Sequence, residues 1–326
     1  MNEINAFSTE LNDRNAFTQT PNDNSKSMRI LVTGATGFVG YHLVNYLRGY
    51  GYEVIGICHR NSDDSDCIAV ELKDSQSIID LHDKYRPDVI IHLAAMARTD
   101  TCEKYPKESY SSNVTVTKNL VDVFRDAKFI FFSTYAVYNT PDGNSVESSA
   151  LSPTNQYIYT KIEAERQVYK HDNYIIFRPS VIYGYMPKQT TSDNYFMQLI
   201  KLLEAKKVLN SPNDQYFNPI YVNVVCEIIR LAIEKDINGI YNIGSPDSLS
   251  KYEFNKRILK QFMFDKDCLK IAVPANTDVI RPSNGTISSE RIEEALSIHI
   301  PTVDEMIRSL YNDVSGIDRI KELAHD

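Results

Sequence analysis

The apolar, β-branched run Ile30-Leu31-Val32-Thr33 breaks into three evenly spaced glycines, Gly34, Gly37 and Gly40. Phe38, Val39, Leu43, Val44 and Leu47 then recur at helical spacing. This order predicts a strand, a tight turn and a helix. Glycine is needed at such a turn because the backbone angles resist a Cβ, and because a side chain would hold the main chain away from an anion. The helix start offers unpaired N–H groups and the positive end of its dipole. Gly49 and Gly51 stop the helix, and Val54-Ile55-Gly56-Ile57-Cys58 reads as a second buried strand that completes a βαβ unit. The anion suited to this unit is the pyrophosphate of a dinucleotide. Glycines alone could serve a purely conformational purpose; the flanking strands and helix favour the binding role.

At 326 residues the chain suits two domains, or one large α/β domain with an appended lobe. Hydrophobic residues make up 42%, enough for a sizeable core, and a net charge of −8 argues against a nucleic-acid partner. Cys58, Cys67, Cys102, Cys226 and Cys268 are odd in number and scattered, with no C-x-x-C pair. That spacing predicts reduced thiols in a cytoplasmic protein and no metal site. Residues 1–27 are polar and Asn-rich, lack the basic start and apolar stretch of a signal peptide, and read as a disordered extension that repeats Asn-Ala-Phe at 5–7 and 15–17. No apolar run approaches the ~20 residues needed to cross a bilayer, so no membrane partner is expected.

Further along, a helix is expected from Ser75 to Tyr85, then a buried strand over Val89-Ile90-Ile91-His92-Leu93-Ala94-Ala95. Asn113 reads as the N-cap of an amphipathic helix from Val114 to Phe124. The strand Phe129-Ile130-Phe131-Phe132 runs into Ser133 and Thr134, which should emerge at the crevice where open α/β sheets bind ligands. In the helix that follows Pro153, Tyr157 and Lys161 are four apart and share a face, whereas Tyr159 and Lys161 do not. A free phenol has a pKa of about 10, and an ammonium one turn away is expected to pull it down. Tyr-x-x-x-Lys on a helix is commonly a surface pair; behind a dinucleotide loop and a strand ending in Ser-Thr it reads as catalytic.

The spacing Gly34-x-x-Gly37-x-x-Gly40 after Thr33, the Tyr157/Lys161 pair, and Arg178-Pro179-Ser180-Val181-Ile182-Tyr183-Gly184 together resemble the extended short-chain dehydrogenase/reductase family, also known as the NAD-dependent epimerase/dehydratase superfamily. The resemblance runs from Met28 to near the end of the chain. It implies an α/β fold with a doubly wound parallel sheet of the Rossmann type. Residues 28–184 would form the dinucleotide-binding domain, with 220–244 returning to it. A smaller, mostly helical C-terminal substrate lobe would comprise 185–219 and 245–326. The implied cofactor contacts are Gly34, Thr36, Gly37, Phe38, Val39 and Gly40 at the pyrophosphate. Glu71 and Leu72 would flank the adenine, and Leu93, Ala94 and Ala95 would let the backbone approach. Cys58 stands where NAD-preferring members place an acid, and Arg60 follows, which favours NADP(H) over NAD(H).

Carried over residue by residue, the family triad is Thr134, Tyr157 and Lys161. Tyr157 exchanges the proton, Thr134 holds the substrate oxygen, and Lys161 binds the nicotinamide ribose. Asn113 would support the active site. Arg178 would contact substrate or form an internal salt bridge, and Arg281 would meet the substrate diphosphate. Asn218 and Asn223 stand where nucleotide-sugar members carry an arginine and an acid. Tyr135 and Ala136 after the threonine leave no acid for dehydration, and the cysteine of double epimerases is missing. Asp100-Thr101-Cys102-Glu103-Lys104-Tyr105-Pro106 and Arg281-Pro282-Ser283-Asn284 look most like the branch of dTDP-4-dehydrorhamnose reductases and related 4-ketosugar reductases. The expected activity is therefore NADP(H)-dependent reduction of a nucleotide-linked 4-keto-6-deoxysugar for polysaccharide synthesis. The rivals are a C4 epimerase with bound NAD and a non-catalytic regulatory subunit that binds a dinucleotide. Dimers are common among such relatives.

Overall fold

The computed structural model describes residues 28–59, 67–138, 140–188, 194–272 and 284–325. Its first half alternates strand and helix: β1 (Arg29–Thr33), α1 (Phe38–Gly49), β2 (Glu53–Cys58), β3 (Cys67–Ala69), α2 (Ser75–Tyr85) and β4 (Val89–His92). Then come α3 (Thr99–Lys104), α4 (Pro106–Tyr110), a π-helical turn at Ser111–Thr115, α5 (Val116–Val123), β5 (Lys128–Phe132), α6 (Gln156–Val168) and β6 (Tyr174–Pro179). Among the described residues seven strands form one sheet in the order β11-β6-β5-β4-β1-β2-β3, where β11 is Gly239–Ile243. Every pairing in it is parallel. This is the doubly wound α/β fold.

A parallel sheet covered on both faces buries successive residues, and Ile30, Leu31 and Val32 are each 0% exposed. Side chains alternate between the two layers. Ile30, Val32, Ile130 and Phe177 pack with α1 and with α8 (Val222–Glu234), whereas Leu31, Ile90, Phe129 and Phe131 pack with α2, α5 and α6. The first layer runs on without interruption into the C-terminal helices α9 (Lys251–Phe262), α10 (Glu290–Leu296) and α11 (Val303–Val314). Thr302 and Glu305 close a capping box at the start of α11. Short ribbons link the parts: β7 (Ile182–Tyr183) pairs with β10 (Ile220–Tyr221), and β12 (Leu249–Ser250) pairs antiparallel with β9 (Tyr216–Phe217). No helix among the described residues is long and apolar enough to cross a membrane.

The third strand is Cys67–Ala69, so Glu71 and Leu72 lie beyond its end. Two expectations are corrected. Asn113 is no N-cap, because the helical path begins at Pro106 and Asn113 lies inside the π turn. Cys58 and Cys67 are joined in a disulfide, with Cα atoms 6.0 Å apart, so the reading of five reduced thiols fails for this pair. Parallel pairing of β2 with β3 sets Gly56 opposite Cys67 and Cys58 opposite Ala69, which brings the two sulfurs together. The register that does so is not visible in cysteine spacing.

Candidate active site

Gly34 leaves β1 with φ +73°, and a Cβ on it would lie 2.9 Å from the Ala94 nitrogen. A Cβ on Gly40 would lie 2.2 Å from the Gly34 carbonyl oxygen, so the first turn of α1 can sit against the loop only with glycine there. Helix α1 starts at Phe38 with no side-chain cap and no acid in its first turn, whereas Asp74 caps α2 through the N–H groups of Gln76 and Ser77. An uncapped helix N-terminus beside an exposed Thr36 and Gly37 fits a pyrophosphate. Phe38 and Val39 are partly buried, as are Leu93 and Ala94 across the crevice.

The carboxyl ends of β1 and β4 are tied by a polar ladder that sequence reasoning missed. Ala94 N–H donates to Thr33 Oγ1 at 3.2 Å, and Thr33 Oγ1 lies 2.7 Å from His92 Nδ1. His92 Nε2 lies 3.0 Å from Thr117 Oγ1, whose hydroxyl donates to the Asn113 carbonyl at 2.6 Å. Thr117 must therefore accept from His92, which assigns the Nε2–H tautomer and leaves Nδ1 to accept from the Thr33 hydroxyl. Burial, then the charge of Lys161, draws the His92 pKa down to about 3, so the ring is neutral. Asn113 is buried; its Oδ1 accepts from Met96 N–H at 2.7 Å, and its Nδ2 donates to the Met96 carbonyl and to Thr160 Oγ1. It braces the segment after β4 against α6 and does not open onto the cleft.

Thr134, Tyr157 and Lys161 are brought together where β5 ends against the start of α6. Thr134 is buried, accepts Ala136 N–H at 3.2 Å and sits near enough to the Tyr157 phenol to pull its pKa down. Asn155 caps α6 by accepting Ile158 N–H at 3.0 Å, and Glu103 accepts Gln156 N–H at 2.7 Å from the neighbouring α3. Lys161 is buried at the carboxyl end of β5, donates to the Phe132 carbonyl and sits 4.2 Å from the centre of the Phe131 ring. Burial draws its pKa down to about 7 against the pull of Glu165. Burial likewise raises the Tyr157 phenol, with Cys102 and Tyr135 adding to the rise and Thr134 opposing it. The expected lowering by Lys161 is thus corrected: Tyr157 is a protonated phenol at neutral pH, because desolvation dominates and the ammonium is engaged by a carbonyl.

Thr134 and Tyr157 face a cleft whose other walls are Thr99, Tyr135, Asn155, Gln215, Tyr216 and Lys251. Arg178 is not among them. Its guanidinium is 1% exposed, bonds Glu165 in a fork at 3.0 and 2.6 Å, and donates to Tyr138 Oη at 2.7 Å and to the Glu147 carbonyl. Arg178 is therefore a core ion pair rather than a substrate contact. Asn218 is also committed inward, donating to the Ser245 and Asp247 carbonyls and accepting Ile287 N–H. Glu71 is exposed and accepts from Lys73 N–H; Leu72 is partly buried and Ala95 exposed. Arg60 and Arg281 lie outside the described residues.

The sequence profile described as "RmlD substrate binding domain" matches residues 28–315. The "Probable low-salt glycan biosynthesis reductase Agl14" of Haloferax volcanii is 26% identical over 293 residues, which cover 87% of this chain and 97% of that one. Methionine adenosyltransferase 2 subunit beta of Danio rerio is 24% identical over 273 residues, 81% of this chain and 84% of that protein. Among solved structures, dTDP-4-dehydrorhamnose reductase of Bacillus anthracis, in complex with NADP, superposes with a TM-score of 0.76 at 23% identity. That match covers 89% of this chain and 100% of the other, and it is a likeness of fold.

Proposed function

The chain belongs to the RmlD substrate binding domain family, and from that membership we propose that it is an NADP(H)-dependent reductase of a nucleotide-linked 4-keto-6-deoxysugar. The observation that carries this reading is the pairing of Thr134 and Tyr157 at the mouth of one cleft, beside a glycine turn and an uncapped helix that fit a pyrophosphate.

The dinucleotide, when bound, supplies the hydride. The chain supplies the rest. Thr134 holds the substrate carbonyl oxygen by its hydroxyl, and Tyr157 gives its phenolic proton to that oxygen as the carbonyl becomes an alcohol. A phenol kept protonated by burial suits this direction, because reduction asks for an acid. In this reading Lys161, buried beneath β5 where it donates to the Phe132 carbonyl, turns to the nicotinamide ribose when the dinucleotide binds, and Gly34, Thr36, Gly37, Phe38, Val39 and Gly40 take the pyrophosphate. For NADP over NAD the support is the lack of a carboxylate at the end of β2, where Cys58 is tied to Cys67, together with Arg60 two residues on in the sequence.

The likeness to methionine adenosyltransferase 2 subunit beta favours one second reading, that of a dinucleotide-binding subunit acting within an assembly. Titrating the purified protein with NADPH and NADH by fluorescence, after an absorbance check for cofactor already bound, tests the first reading. Tighter binding of NADPH to cofactor-free protein supports it. Co-purified NAD points instead to a C4 epimerase.

A further inference from the structure

Tyr135 directly follows Thr134, where the resemblance leads one to look for the acid of a dehydratase. The structure gives this residue another part. Thr134 caps the short 3₁₀ turn Tyr135–Val137 by accepting Ala136 N–H, and the turn lays the Tyr135 side chain along the cleft that Thr134 and Tyr157 share. One edge of the ring rests on Gly285: a Cβ there would lie 2.5 Å from Tyr135 Cε2 and 3.1 Å from Cδ2, so the ring stands where any other side chain would begin. Gly285 is itself fixed from two sides. Its N–H donates to the Tyr216 carbonyl at 2.9 Å, and Asn284 before it bridges to Tyr216. On the other side Asn284 Nδ2 donates to the Asp142 carbonyl at 2.9 Å, and Thr286 Oγ1 accepts Asn144 N–H at 2.7 Å. A glycine held this firmly sets how far the Tyr135 ring stands from the proton donor. The exposed Tyr216 adds a second aromatic side chain to the same cleft.

We propose that Tyr135, seated on Gly285, selects a 6-deoxy sugar, its ring receiving the C6 methyl of the substrate. Thr134 and Tyr157 fix the oxygen on C4, and C6 is only two bonds from C4, so the methyl falls beside the residue that follows Thr134. A methyl gains by leaving water for the face of an aromatic ring, whereas the hydroxyl of a hydroxymethyl group would lose its water and meet carbon. An apolar contact of this kind rejects one added hydroxyl by about tenfold to a hundredfold. The assignment rests on the nucleotide-sugar reading above and names the residue that sets its substrate class.

The test is calorimetric titration of 6-deoxyglucose and of glucose, each as its dTDP and its UDP conjugate, into protein saturated with NADPH, with which these alcohols do not react. The parent is expected to bind the better 6-deoxy conjugate about tenfold to a hundredfold more tightly than its glucose counterpart. Tyr135→Ala is expected to bring that ratio close to one and Tyr135→Phe to keep it. Gly285→Ala, which pushes the ring aside, is expected to reduce it. NADPH affinity, measured separately, is expected to be the same in the parent and the variants, which also shows that the variants fold. A parent that binds both sugars equally, or a Tyr135→Ala protein that keeps the preference, overturns the assignment alone. A parent protein that takes NADPH but none of the conjugates overturns the nucleotide-sugar reading beneath it.

Discussion

Glu103 accepts a hydrogen bond from the backbone N–H of Gln156 at 2.7 Å, joining α3 to the first turn of the helix that carries Tyr157. A carboxylate at that position satisfies an orphan donor and meets the positive end of the dipole. It acts from outside the cleft, since it touches the helix end and not the phenol. Glu103→Ala is expected to cost about 1 kcal/mol of stability and to lower kcat by about tenfold through misplacement of the phenol. NADPH affinity should stay unchanged, and Glu103→Gln should recover most of the rate because its amide oxygen still accepts. Steady-state kinetics beside a dinucleotide titration check this, and a rise in KM alone would contradict it.

Lys161 links stability to pH with a definite sign. Its pKa is about 7 in the folded chain against 10.5 ordinarily, so between those values the unfolded chain holds a proton that the folded chain does not. Stability therefore rises with pH across that window; the burial cost is present in full below about pH 7 and is gone above about pH 10.5. Lys161→Met removes the titration. Its stability relative to the parent should be greatest at and below neutrality, by about 5 kcal/mol at most, and should fall steadily towards pH 10. Thermal melts of both proteins over that range give the comparison, and a difference independent of pH would refute the burial account.

The Cys58–Cys67 bridge ties the end of β2 to the start of β3 across a sequence separation of nine. Loop closure of that size is worth about 2.5 kcal/mol. Treatment with a dithiol reductant should lower Tm by a few degrees and leave a Cys67→Ser variant unaffected. Non-reducing peptide mapping should recover the two cysteines in one linked species. Two separately alkylated cysteines in the untreated protein would be the contrary result.

Much of the fold was legible because it is written in uninterrupted apolar runs. Ile30-Leu31-Val32, Val89-Ile90-Ile91 and Phe129-Ile130-Phe131-Phe132 could only be strands buried on both faces, and all lie in the central sheet. Tyr157 and Lys161 were singled out by helical spacing read together with the glycine loop and the strand that ends in Ser133 and Thr134. What stayed hidden depends on contacts between distant segments. Asn113 carries the signature of an N-cap, but tertiary bonds to Met96 and Thr160 draw it into a π turn. Arg178 reads equally as ligand or core until Glu165 is seen facing it. His92 is one polar residue closing an apolar strand, and only the hydroxyls of Thr33 and Thr117 reveal its part. Lys251 has no motif at all; the ribbon pairing puts it in the cleft.

The central claim is that Tyr157 delivers the proton in an NADPH-dependent ketosugar reduction. Its most direct test is to follow NADPH absorbance with a dTDP-linked 4-keto-6-deoxysugar as substrate, comparing the parent protein with Tyr157→Phe. The account predicts one NADPH consumed per ketosugar by the parent, and a rate lower by about a hundredfold or more in Tyr157→Phe with NADPH affinity retained. A parent protein that consumes no NADPH but interconverts sugar epimers on NAD it already holds, or a Tyr157→Phe variant as fast as the parent, would contradict it.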